Sequence, residues 1–237
     1  MDRYALQARA WPALITGLPA VVVALAAAVS PSGLGVKLAG ALLAVGGQVV
    51  THMVRHRGRD LQVDLWRRWG GNPAGRRLSH VDVGDQDELD DVLRRVERVT
   101  GLTLPSAEEE RVDPERAARR RDKAVEALRE LTRSNPVVLA ENIDYGFWRN
   151  LLGLKRTGRL ITTSCLAGSI ALLALGSGPF EHRLASWGLS LVVGVAMLGF
   201  WSRVVTESRV HEAAETYADQ LLRAAHALPA ASSAVPR

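Results

Sequence analysis

Between Trp11 and Val29 the chain reads WPALITGLPAVVVALAAAV, with no charged side chain in the run. A helix rises about 1.5 Å per residue, so this stretch is close to the length needed to cross a hydrocarbon core about 30 Å thick. It is too long for the apolar region of a cleavable leader, and after Ser30-Pro31-Ser32-Gly33 a second apolar block runs from Leu34 to Val54. Two more blocks, Leu160 to Leu175 and Leu184 to Trp201, flank a second short turn at Ser177 to Arg183. A mean hydropathy of +0.02 over 237 residues hides this segregation, because most charges lie between the second block and the third. The expected fold class is all-α: an integral membrane protein with four transmembrane helices in two hairpins and a helical cytoplasmic layer. Its expected parts are a first hairpin over 1–54, a cytoplasmic helical region over 55–159, a second hairpin over 160–203, and a cytoplasmic C-terminal helix with a loose tail over 204–237.

Basic residues orient the spans. Only Lys37 and Arg183 of the 30 Lys and Arg lie near the two short turns, and the others share the side of both termini. The excess of cations on the non-translocated side then puts both termini in the cytoplasm. Small residues recur within the spans, Ala20, Ala24 and Ala28 among them, and permit close helix approach. The single Cys165 excludes a disulfide framework. No nucleophile elbow, phosphate-binding glycine loop or zinc spacing occurs, so the sequence reads as a non-enzyme without a cofactor or metal.

Apolar residues between Arg55 and Arg159 recur at helical spacing. The second span is expected to run on as a stalk to Trp69, where Gly70-Gly71-Asn72-Pro73 stops it. Helices follow over Asp85 to Val99 and Pro114 to Arg133, then a short one over Val137 to Leu152 that leads through Gly153 and Thr157-Gly158 into the third span. The fourth span is expected to continue from Val204 to Leu228, with Val210, Ala213, Ala214, Tyr217, Leu221, Leu222 and Ala225 as an apolar stripe that packs by default on helices of its own chain.

Arg55, Arg57, Arg59, Arg67, Arg68, Arg76 and Arg77 face only Asp60 and Asp64, a local charge of +5. Membrane anchoring accounts for the first three. The full ligand set expected to meet a polyanion is Arg55, Arg59, Arg67, Arg68, Arg76 and Arg77, with Trp66 and Trp69 either stacking bases or packing on neighbouring helices. Arg119 to Arg121 read as a solvated fan, and the acidic run from Asp82 to Asp91 as charge complementarity at a helix start. His52 and His56 share a helical face without a third metal ligand. Gln48, Thr51, Thr162, Thr163, Ser164 and Ser190 are the span residues polar enough to line a pore.

Two further segments carry more character than helix packing requires: LWRRWGGNP (65–73) and ENIDYGFWRNLLGLK (141–155). With the two-hairpin layout, they resemble a family of bacterial four-span membrane proteins encoded in anti-phage defence loci, the channel effectors of Hailong type. The resemblance implies a homo-oligomer, a tetramer, that acts as a channel or pore in abortive infection. It also implies control by a nucleic-acid signal, a single-stranded DNA oligomer or related nucleotide, made by a nucleotidyltransferase encoded nearby. Pore arithmetic agrees that several chains are needed, since four helices packed at about 8 to 10 Å enclose no water-filled lumen. A non-conducting scaffold or sensor is the alternative, and a small transporter is disfavoured because the hairpins show no alignable repeat.

Overall fold

A computed structural model describes residues 3–29, 58, 60–81, 84–175 and 180–231. All secondary structure among them is helical. Among the described residues three helices are long and apolar enough to cross a membrane: Leu6–Ala27, Pro136–Leu175 and Trp187–Val204. The block from Leu34 to Val54, expected as the second span, lies outside the described residues. Two compact units divide the chain, one made of 1–61 with 146–210 and the other of 62–145 with 211–237.

In the first unit a π-helical turn, Leu6–Ala10, leads into α1 (Trp11–Val29). α1 packs along a second apolar helix, Phe180–Gly199. Asn150 shows why the ENIDYGFWRN segment is distinctive. It sits on Pro136–Leu175, is buried, and its amide donates to the Ala8 carbonyl inside the π-turn at 2.7 Å. Such a turn leaves carbonyls without their regular partners, and a buried one must be met by another donor. Gly146, one turn earlier, lets Tyr4 approach: a Cβ there would lie 2.8 Å from the tyrosine oxygen. Gly58 is tighter still, since a Cβ there would overlap Asn150 Oδ1.

Pro136–Leu175 is one continuous helix of 40 residues, about 60 Å long. It replaces the expected short helix and separate span. Gly153, Thr157 and Gly158 do not interrupt it, because an interior glycine costs only about 1 kcal/mol relative to alanine and here admits a neighbour. The Trp201 indole lies on Gly158, whose Cβ would fall 2.2 Å from Trp201 Cζ2. Trp201 is fully buried with Leu151 and Val205, and Phe147, Trp148 and Ile15 pack around them. Conversely, the expected unbroken run past Val204 is interrupted. Phe200–Val204 is π-helical, the chain leaves helical geometry at Val205 (ψ 91°), and a new helix starts at Glu207. Lys155 Nζ donates to the Val205 carbonyl at 2.6 Å, so the break is held by a cation from the facing helix.

Two polar span residues serve packing. Thr162 is buried and donates to the Gly158 carbonyl, while Ser190 is buried between the Trp187 carbonyl and the Ser169 hydroxyl. Neither is free to line a pore. Thr163 and Ser164 are exposed, and Gln48 and Thr51 lie outside the described residues.

The second unit is a small helical layer. Gln86–Thr100 starts at Asp85, which accepts from the amides of Asp87 and Glu88, and ends at Gly101, whose φ of 68° suits a residue without Cβ. Pro114–Leu131 starts at Asp113 in the same way. Between them a helix not expected from hydropathy, Ala107–Val112, is set by a reciprocal capping box of Ser106 and Glu109. Leu89, Leu93, Val96, Leu128 and Leu78 form the core with Ala218, Leu221, Leu222 and Ala225 from the C-terminal helix. The apolar stripe of that helix thus packs on its own chain.

Arg121 departs from the expected solvated fan. It is buried and pairs with buried Glu110 at 2.5 Å, and the same carboxylate accepts from the Ser79 hydroxyl at 2.5 Å and the His80 amide at 2.8 Å. Burial opposes ionisation of Glu110, but these two hydrogen bonds and the guanidinium outweigh it and hold the carboxyl below its ordinary range. Arg120 bonds Glu109 and the carbonyls of Thr103 and Leu104, and only Arg119, bridged to Glu115, fits the solvated reading.

Candidate polyanion interface

The arginine set lies along two local devices. The helix over 60–68 ends where Gly70 (φ 77°) and Gly71 (φ 129°) take conformations that side chains resist. Asn72 then caps a four-residue helix, Pro73–Arg76, by accepting from the Ala74 amide at 3.3 Å, with Pro73 at the first helical position. Pro73, Ala74 and Gly75 are buried, so this short element is anchored and presents Arg76 and Arg77 at its exposed end.

Both arginines meet carboxylates from the C-terminal helix Glu207–Ala224. Arg77 donates through Nε and Nη2 to Glu215 Oε2, each at 3.1 Å, and through Nη1 to Asp219. Arg76 lies 3.8 Å from Glu215, and Arg223 reaches Asp219 at 3.4 Å. Beside this network is a cleft of about 670 Å³, walled by Arg76, Arg77, Arg95 and Arg223 and by Asp85, Glu88, Asp91 and Asp219. Guanidinium and carboxylate groups are equal in number among its described lining residues, so within one chain Arg76 and Arg77 meet acids close at hand.

Arg67 and Arg68 are exposed. Among the described residues Arg67 pairs with Asp64, at 3.5 Å, in a solvated pair worth about 0 to 1 kcal/mol, which an incoming phosphate can displace. Trp69 packs, its ring 4.6 Å from that of His211, while the Trp66 indole nitrogen is buried without a hydrogen-bond partner among the described residues. Both rings are half-buried. Arg55, His52 and His56 and the nearby Arg59 lie outside the described residues, as do Arg57 and Asp82. No group of His, Cys, Asp and Glu that could hold a metal occurs among the described residues.

The structure therefore brings Arg76 and Arg77 together with acids that the sequence reading did not assign. Their one local signal was the four-residue spacing of Glu215, Asp219 and Arg223, which marks an ion-paired helix face. Arg95 and His226 were not identified as cleft residues, since each is an unremarkable polar position on an amphipathic helix. Compared with known protein families, characterised proteins and solved structures, the chain matches none.

Proposed function

We propose that the chain is an oligomeric effector of the bacterial cytoplasmic membrane, channel- or pore-like. Four spans place both termini inside, and the cytoplasmic helical layer answers a nucleic-acid signal from a partner nucleotidyltransferase. The observation that carries this reading is the unbroken helix Pro136–Leu175, which begins among residues of the helical layer, includes the whole ENIDYGFWRN segment and ends as an apolar span. Between that segment and the span the chain has no loop, since it is helical throughout from Pro136 to Leu175. The exposed apolar side chains Leu160, Ile170, Leu189, Val192 and Val195 call for lipid or neighbouring subunits as cover. The resemblance supplies the oligomer, the defence role and the class of signal.

A non-conducting sensor remains the second reading, favoured by one observation: Thr162 and Ser190 are spent on internal hydrogen bonds, which leaves few polar groups for a water-filled path. Expression with its locus during infection separates the two. The channel reading expects depolarisation, and protection with an unchanged membrane potential would sink it.

Signal binding makes its own prediction. Changing Arg67, Arg68, Arg76 and Arg77 together to Gln should abolish binding of short single-stranded DNA while insertion stays normal. Glu215→Gln with Asp219→Asn should strengthen binding by roughly tenfold at low salt, because it frees two guanidinium groups for phosphate. Unchanged affinity in both variants, measured by fluorescence anisotropy across a salt series, would remove these arginines from any signal site.

A further inference from the structure

Helix Pro136–Leu175 carries Lys155, Arg156 and Arg159 just before its exposed apolar surface begins. Trp201 rests on Gly158 and Lys155 holds the Val205 carbonyl, so the two segments run antiparallel in a register that sets 201 against 158 and 205 against 155. Arg203 therefore lies at the axial level of residues 155–158. Arg156, Arg159 and Arg203 are all exposed, and among the described residues no carboxylate pairs with any of them. They differ in this from Arg76 and Arg77, which Glu215 and Asp219 neutralise. Leu160, 68% exposed, stands one residue beyond Arg159, and Ile170 and Leu172 continue the bare apolar surface.

We propose that Arg156, Arg159 and Arg203 form a collar that binds the phosphate headgroups of anionic phospholipid. A guanidinium presents paired donors to a phosphate, and the apolar surface one step further along the helix suits the acyl chain attached to it. A nucleic acid offers the same phosphates but no acyl chain; at this level Trp201 is fully buried, and the half-buried Phe200 packs edge-on against it rather than standing clear for a base. The inference rests on these helices lying in a bilayer, as proposed above, and does not require that the protein conducts.

The test uses full-length protein with vesicles of phosphatidylcholine alone or with one third phosphatidylglycerol, read by co-flotation and by native mass spectrometry of retained lipid. Each cation near an anionic surface contributes about fivefold in partitioning, so the three together contribute roughly a hundredfold at most. Wild type should retain phosphatidylglycerol selectively; R156Q/R159Q/R203Q should lose the selectivity, and R156K/R159K/R203K should keep most of it. Equal retention by the Gln variant and wild type overturns the collar. So does a Gln variant that loses single-stranded DNA binding with lipid retention unchanged, which would give these residues to nucleic acid. Loss of selectivity in the Lys variant as severe as in the Gln variant would show packing damage and also overturn it. Wild type that floats with both vesicles but shows no anionic preference overturns this inference alone, whereas wild type that floats with neither overturns the membrane reading beneath it.

Discussion

Replacing Arg121 with Met should cost about 3 to 5 kcal/mol and lower the thermal midpoint of the helical layer by on the order of 10 °C or more. The reason is the group left behind. Glu110 is 5% exposed, and without the guanidinium its charge is buried with the Ser79 hydroxyl and the His80 amide as its partners among the described residues. Adding Glu110→Gln to Arg121→Met should recover most of the loss, since the amide oxygen can still accept from His80 and no charge remains buried. The same site sets an acid limit. Its carboxyl titrates below the ordinary value of about 4.5, so its contribution is complete above that pH and disappears as pH falls through the lower folded-state value. Thermal scans of full-length protein in mild detergent from pH 7 to pH 3 check both points. A single variant within 1 kcal/mol of wild type, or a double variant as unstable as the single, would contradict the buried-pair account.

The second large effect is expected where Trp201 meets Gly158. Trp201→Ala empties a site that is fully buried between Leu151, Met197 and Val205 and should cost about 3 to 5 kcal/mol. Gly158→Ala acts from the other side: its methyl would arrive 2.2 Å from an indole carbon, and displacing the ring should cost about 1 to 3 kcal/mol. Combining Gly158→Ala with Trp201→Ala should cost less than the sum, because the methyl then occupies space the indole has left. Additive losses would mean that the two residues do not share this contact in solution.

How much of this was legible in advance depends on whether its cause is local. Asp85 and Gly101 bound their helix through their own side-chain chemistry and φ preference, and the sequence places both boundaries to within a residue or two. Ser106 and Glu109 form a capping box just as local, but the helix they start spans six residues and has too little apolar period to be noticed. Gly158 was misread because a glycine in a polar-to-apolar transition looks like a hinge, whereas here it is a seat for a tryptophan 43 positions later. The break at Val205 had no glycine or proline to announce it, and depends on Lys155 from the facing helix. Arg76 and Arg77 were visible as charge, but Glu215 and Asp219, which meet them, are 138 and 142 residues along the chain from Arg77.

Every functional proposal above depends on which segments cross the bilayer and in which direction. Single cysteines introduced in a Cys165→Ala background at Ser32, Ser177, Ser134 and Ser233, probed in intact cells with a membrane-impermeant maleimide, measure this directly. With four spans and both termini inside, Ser32→Cys and Ser177→Cys should be labelled from outside, and Ser134→Cys and Ser233→Cys only after the cells are permeabilised. Labelling of Ser134→Cys in intact cells, or protection of Ser32→Cys and Ser177→Cys, would contradict the topology and with it a cytoplasmic signal acting on a membrane effector.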